Sequence, residues 1–254
     1  AAEKLSKDRE KFNIQNTIAE NRVTKFDFRQ NINFENVGFS YSDNEKLDAN
    51  FVLKDVNLKI EKGSKIGIVG GSGSGKSTFL DLVMGLISPQ NGKILIDGKK
   101  IKDIKSNWQK IIGCVPQEVF ILDDTLKRNV AFGLPNELID VEKVNKAIEL
   151  AKLTEFKNTL NSGLETLLGE SGSRLSGGQR QRIGIARALY HNPSILIFDE
   201  ATNALDAQTE KNIINEIFSA NKDNTIIFVS HNRDNLIFCD LIYEVRGRGL
   251  SRLN

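Results

Sequence analysis

Apolar and polar residues alternate through Asn31-Ile32-Asn33-Phe34-Glu35-Asn36-Val37, and again from Phe51 through Leu53, Val56 and Leu58 to Ile60. A period of two puts the apolar side chains on one face. Residues 32–60 are therefore expected to form half-buried antiparallel strands joined by a turn. Lys65-Ile66-Gly67-Ile68-Val69 is a short apolar run stopped by glycines, which suits a buried strand. Ile195-Leu196-Ile197-Phe198 and Thr225-Ile226-Ile227-Phe228-Val229 are apolar throughout, as in parallel strands covered on both faces. Lys93-Ile94-Leu95-Ile96-Asp97-Gly98 reads as a strand and turn, and Ile111 to Val115 as a further strand. From Pro135 to about Leu160 the period becomes helical, with Val141, Val144, Ala147, Ile148 and Ala151 on one face. A second helix is expected from near Ser176 to about Tyr190. There are no internal repeats.

The chain has 254 residues, of which 39% are hydrophobic, enough for one substantial domain with a subdomain. A formal charge of only +2 argues against a nucleic-acid partner, and the lysines read as a solvated surface. Cys114 and Cys239 sit in apolar runs without metal-ligand spacing, so buried, reduced thiols are expected. No apolar run approaches the roughly 18 residues needed to span a bilayer, and no secretory signal is visible. Residues 1–30 are dominated by Lys, Glu, Asn and Asp. They read as a polar lead-in or linker, such as the tail of a preceding domain.

Gly70-Gly71-Ser72-Gly73-Ser74-Gly75-Lys76-Ser77 follows the Lys65–Val69 run, and Thr78 to Met84 continues it as a helix. Strand, glycine-rich loop and helix is the context of a P-loop. Gly70, Gly73 and Gly75 let backbone N–H groups point inward at phosphate oxygens, and the helix start adds partial positive charge. Candidate nucleotide-binding residues are thus Gly71, Ser72, Gly73, Ser74, Gly75, Lys76, Ser77 and Thr78. Lys76 reaches the β- and γ-phosphates, and Ser77 offers its hydroxyl to Mg²⁺. Asp199 ends a buried strand downstream, where a carboxylate holds Mg²⁺ directly or through water. Glu200, beside it, is the candidate to polarise the attacking water.

A second glycine-rich sequence, Leu175-Ser176-Gly177-Gly178-Gln179, lies about a hundred residues after the first. Ser176 is placed to cap a helix, leaving Gly177 and Gly178 to expose N–H groups toward an anion. One nucleotide site needs only one such loop.

Leu175 to Arg182, Leu-Ser-Gly-Gly-Gln-Arg-Gln-Arg, resembles the signature sequence of ATP-binding-cassette (ABC) ATPases, and the order of the other elements is similar to that family over roughly residues 30–245. Tyr41 resembles its adenine-stacking aromatic, Gln117 its Q-loop glutamine and His231 its switch histidine. Asn203-Ala204-Leu205-Asp206 resembles the D-loop, with Asn203 where Ser is usual. The resemblance implies an α/β fold. It would comprise a P-loop NTPase (RecA-like) core, an N-terminal antiparallel β subdomain, and an α-helical subdomain at about 118–190 that carries the signature. It implies ATP and Mg²⁺ as cofactors, with Gln117 bridging Mg²⁺ or the water and His231 bonding the γ-phosphate and orienting Glu200. It also implies a partner, because two cassettes close head to tail over two nucleotides. Ser176, Gly177, Gly178, Gln179 and Asp206 would then serve the neighbour's ATP. His191, at a helix end, is given no role.

Phe120 to Val130 and Thr166 to Gly172 resemble the exporter branch, where such stretches contact coupling helices of a transmembrane domain, normally on the same polypeptide. Leu167, Leu168 and Ser171 depart from the commonest form. Residues 1–30 would be the link from that membrane domain and 31–254 the cassette. It would work at the cytoplasmic face of a bacterial inner membrane and be soluble when isolated. With Asn203 and its Asn-, Lys- and Ile-rich character, the chain resembles the PglK-type flippases of lipid-linked oligosaccharides. Peptide and lipid-A-like export stay open. Against a DNA-repair ABC protein stands the missing coiled coil between Lys76 and Ser176, and against a ribosomal type the single cassette. An importer often adds a C-terminal domain, whereas this chain stops at Asn254. The presence of Glu200 and His231 argues against a module that binds without hydrolysing.

Overall fold

The structure, a computed structural model, describes residues 26–42, 51–201, 207–221, 223–230 and 233–253. The chain begins with β1 (Asn31–Phe39) and β2 (Leu53–Glu61). They pair antiparallel with Ile32 opposite Ile60 and Phe34 opposite Leu58. The alternation seen in the sequence is the burial pattern: Leu53, Val56, Leu58 and Ile60 point into the core. β3 (Lys65–Val69) is buried throughout, as its unbroken apolar run requires. After it come α1 (Lys76–Val83), β4 (Asn91–Ile96), the two-residue β5 (Lys99–Lys100), α2 (Ile101–Gln109) and β6 (Ile112–Val115). β4 pairs antiparallel with the other side of β1, giving a four-stranded sheet in the order β2-β1-β4-β5.

A helical layer follows, with α3 (Leu126–Val130), α4 (Val141–Leu150), α5 (Thr154–Thr159) and α6 (Gly177–Tyr190). Next come β7 (Ile195–Asp199), α7 (Ala207–Ala220), β8 (Thr225–Val229), β9 (Leu241–Arg246) and β10 (Gly249–Arg252). The second sheet has the order β10-β9-β3-β8-β7-β6, parallel except for β10 at its edge. A parallel sheet with helical crossovers presents the carboxyl ends of its strands to a ligand crevice. The ends of β3 and β7 are where the candidate chemistry lies. Close packing joins the layers at Gly113 of β6, where a Cβ would come within 2.5 Å of the Ala188 carbonyl oxygen of α6.

The expected helix from Pro135 to Leu160 is broken. A 3₁₀ turn at Asn136–Leu138 precedes α4, and α5 starts only at Thr154. Asp140 caps α4 by accepting from the N–H groups of Glu142 and Lys143. Lys152 then takes a left-handed conformation with φ 55°. That turn ends the helix and delivers Leu153 into the core, which a continuous helix would carry past it. Val141 is 47% exposed, so the buried face begins at Val144. Helices α2 and α7 and the β9–β10 hairpin were not expected from the sequence.

Lys65, at the entry of β3, is 8% exposed. Its ammonium donates to the carbonyls of Gly63, Asn224 and Asn221 at 2.8, 2.8 and 3.4 Å. Burial lowers its pKa, against the opposing charges of Asp240 and Asp223.

Cys114 and Cys239 are free and half-buried rather than fully buried. Burial, with neighbouring carboxylates, pushes both thiols up to about 12. At pH 7 they stay protonated, so the native chain is expected to take up no maleimide until unfolded, counted by intact mass.

Candidate functional site

The Gly70–Gly75 loop turns out of β3 and into α1. Gly75 occupies the N-cap of α1 with φ 106° and offers no side-chain cap. A Cβ at Gly70, φ 156°, would come within 2.6 Å of Ser74 Oγ and 2.8 Å of the Val245 carbonyl oxygen. The uncapped start of α1 leaves amide donors for a ligand. Ser74 Oγ is buried without a hydrogen-bond partner among the described residues. Uncapped amides and an orphaned hydroxyl on one loop fit an anion such as a polyphosphate.

Lys76 is 6% exposed and folds back on its own loop. Its ammonium donates to the carbonyls of Gly70 at 3.0 Å and Gly71 at 3.1 Å, and stands 3.5 Å from Glu200 Oε1. Glu200 Oε2 accepts from Gln117 Nε2 at 3.4 Å. Glu200 is 8% exposed with a left-handed φ of 51°, and its N–H donates to the Val229 carbonyl of β8. That conformation is costly for a side chain longer than glycine's and is held by the surrounding sheet.

Asp199 Oδ2 accepts from Ser77 Oγ at 3.4 Å. Burial raises the Asp199 pKa, and the charge of Glu200 raises it further; the Ser77 hydrogen bond and Lys76 oppose this. Asp81, one turn after Ser77 on α1, adds a smaller upward push and is itself raised by burial. Asp81 belongs to no motif visible in the sequence. The signal was its i,i+4 spacing from Ser77, which places both on one face of a helix. Asp199, the Ser77 hydroxyl and the Gln117 amide oxygen are hard oxygen donors, the set that suits Mg²⁺ completed by phosphate and water. No group of three or more His, Cys, Asp and Glu among the described residues forms a metal cage by itself.

Tyr41 is 67% exposed, with its hydroxyl 3.2 Å from Thr78 Oγ1 and its ring edge-on to Phe39. The ring stands over the first turn of α1 with area free for a purine face.

Ser176 caps α6 in a reciprocal box. Its hydroxyl accepts from the Gln179 N–H at 3.2 Å, and its own N–H donates to Gln179 Oε1 at 2.8 Å. Gln179 is thereby committed to the cap, while Ser176 remains exposed in the helical layer. Gln117, Ser171, Gly177 and Gln181 line one cavity of about 470 Å³. Phe120, 64% exposed, borders it.

The two exporter-like stretches are zipped together: Leu126 N–H donates to the Thr166 carbonyl and Leu168 N–H to the Asp124 carbonyl, with Thr125 and Leu167 bridged between them. Buried Asn129 braces the first stretch by accepting from Leu122 N–H. Arg187 of α6 braces it from below, through the carbonyls of Asn129 and Phe120. Neither residue stood out in the sequence, because each acts through backbone partners. Asn203, Asp206 and His231 lie outside the described residues.

This combination of a P-loop on a parallel sheet and a capped glycine signature on a separate helical layer is that of an ABC ATPase. The family model "ABC transporter" matches residues 53–203. Over 206 residues, 81% of this chain, it is 44% identical to the toxin RTX-I translocation ATP-binding protein of Actinobacillus pleuropneumoniae. Over 202 residues, 79% of the chain, it is 44% identical to an alpha-hemolysin translocation ATP-binding protein of Escherichia coli. A solved structure of a bacterial Atm1-family ABC exporter with ATP bound superposes with a TM-score of 0.82 at 33% identity, covering 91% of this chain and 40% of that one. The chain belongs to the ABC transporter family and is similar to the ATPase part of its exporters. It spans 28% of the length of either translocation protein. No helix among the described residues is long and apolar enough to cross a membrane.

Proposed function

We propose that two copies of this chain close head to tail over two Mg·ATP and hydrolyse them to drive export through a membrane domain joined by residues 1–30. The observation that carries the reading is the cluster at the ends of β3 and β7. Lys76, Glu200 and Gln117 converge on one another and Asp199 meets Ser77, while the exposed Ser176 cap belongs to another layer. Lys76 binds the terminal phosphates. Ser77, Asp199 and Gln117 hold Mg²⁺, which neutralises phosphate charge during transfer. Glu200 takes the proton from the attacking water, and Tyr41 stacks on the adenine. Gly177, Gly178 and the Ser176 hydroxyl face the neighbour's γ-phosphate, together with Asp206, and His231 orients Glu200. The zipped stretches at Asp124–Leu126 and Thr166–Leu168, with Phe120 exposed beside Gln117, suit the seat of the coupling helices.

The cargo we favour is a lipid-linked oligosaccharide, on the overall resemblance of the chain. Protein export is the second reading, favoured by relatives named for toxin translocation.

Ser176→Arg tests the head-to-tail arrangement. The variant is expected to bind ATP with an affinity within about twofold of the parent, since the Ser176 side chain is bonded within its own helix cap, to Gln179, and not to the P-loop. In a Glu200→Gln background, ATP-dependent dimers seen by analytical ultracentrifugation are expected to vanish. Persistence of those dimers would rule the arrangement out.

A further inference from the structure

The polypeptide enters the first sheet through an aromatic clasp. Phe28 is 1% exposed and meets Trp108 of α2 edge-on, with ring centroids 5.6 Å apart; Phe26 adds a second edge at 6.4 Å. Asp97, in the turn after β4, accepts from three successive backbone N–H groups, those of Arg29, Gln30 and Asn31, at 2.7, 2.8 and 3.0 Å. Residues 26–31 are thus strapped onto the β4–α2 unit.

Trp108 also reaches the other way. It is fully buried, and its indole N–H donates to the Val83 carbonyl at 2.7 Å. The Gln109 side chain donates to the Met84 carbonyl at 3.2 Å. These carbonyls close the C-terminal end of α1, where a helix cannot satisfy its own acceptors. The opposite end of α1, about 10 Å away at 1.5 Å per residue, is Lys76 and Ser77. A position that only fills space needs no donor, whereas a buried indole N–H needs a partner, and here the partner is the phosphate-loop helix. A two-turn helix has no hinge of its own, so a shift at Val83 is carried to Lys76.

We infer that Trp108 is a positioning residue for phosphate binding. It sets the axial position of α1, so that the strap at residues 26–31 and the phosphate loop share one rigid connection. A displacement of the strap is thereby read at the nucleotide site. The effect on affinity rests on the nucleotide-binding role proposed above for Lys76; the mechanical link itself does not.

The test uses the full chain. Trp108→Phe keeps an aromatic ring for the edge contacts but loses the donor, together with the second ring of the indole. In the nucleotide-free variant, amides of residues 70–78 are expected to exchange with deuterium about 3- to 10-fold faster, and the Kd for Mg·ATP to rise by a similar factor. Phe28→Leu, loosening the strap instead, is expected to act in the same direction. The double variant should show less than the product of the two effects, because both act through one contact. Ile148→Val in α4 is the control for general loosening. It should lower stability while leaving exchange at residues 70–78 unchanged. The inference is overturned if Trp108→Phe exchanges like the parent at residues 70–78, or if Ile148→Val loosens that loop equally. Should Trp108→Phe not fold, Phe28→Leu decides alone by the same criteria. If the parent binds no nucleotide, the proposed function fails, and the exchange comparison still decides the link.

Discussion

Replacing Glu200 with glutamine is expected to lower ATP turnover by about 10²- to 10⁴-fold while nucleotide binding persists. Glutamine is isosteric with glutamate, so it fits the same left-handed turn at φ 51° and keeps an oxygen for Lys76 or Gln117. What it loses is basicity. The geometry makes that the relevant loss, because Glu200 is buried at the tip of the central sheet beside Asp199. Phosphate release measures turnover, and size-exclusion chromatography with ATP shows whether the stalled dimer accumulates. Release at the parental rate would remove Glu200 from the role of base.

Lys76→Ala is expected to weaken Mg·ATP binding about 10- to 100-fold, the worth of hydrogen bonds from a charged donor. It has a second consequence specific to this site. The ammonium is held by two carbonyls of its own loop and lies beside the Glu200 carboxylate, so its removal leaves a buried anion without that cation. Lys76→Ala should therefore unfold at lower temperature than the parent, and the Lys76→Ala/Glu200→Gln double variant should recover part of the loss. A coupling of about 1 to 3 kcal/mol in that cycle is expected. Strict additivity of the two changes would show that the pair contributes nothing to stability.

The contact between Lys76 and Glu200 has a further consequence for the proposed mechanism. If Lys76 binds the terminal phosphates as proposed, a γ-phosphate would compete with Glu200 for the ammonium. On that reading the base would be released to act on water only once the group to be attacked has arrived.

Much of this was legible in the chain where local pattern decides structure. The alternation in Asn31–Val37 and Leu53–Ile60, the all-apolar β3, β7 and β8, and the serine before two glycines at α6 each carry their own conformational reason. The loop of residues 70–77 and the Asp199-Glu200 pair could be brought together on paper because each sits at the end of an apolar strand. Contacts between distant backbone and side-chain atoms could not be read this way. Nothing local marks Trp108 as the partner of Val83, Asn129 as the brace of Leu122, or Thr125 as the neighbour of Leu167. The break at Lys152 was hidden for a related reason. The helical period on either side is real, and only the need to seat Leu153 in the core interrupts it. Tyr41 was read for its ring, while its hydroxyl contact with Thr78 depends on where β1 ends.

The central strand β3 has a lysine fastening at each end. At the entry, the Lys65 ammonium is held by the carbonyls of Gly63, just before the strand, and of Asn221 and Asn224 in the turn before β8. At the exit, Lys76 grips carbonyls of the adjoining loop, the one proposed to hold phosphate. The first is a rivet and the second a clip. If Lys76 binds phosphate as proposed, nucleotide would draw it off its loop carbonyls and leave those of Lys65 in place. On the proposed reading, the end of β3 that carries the loop and α1 would be where ATP acts on the sheet.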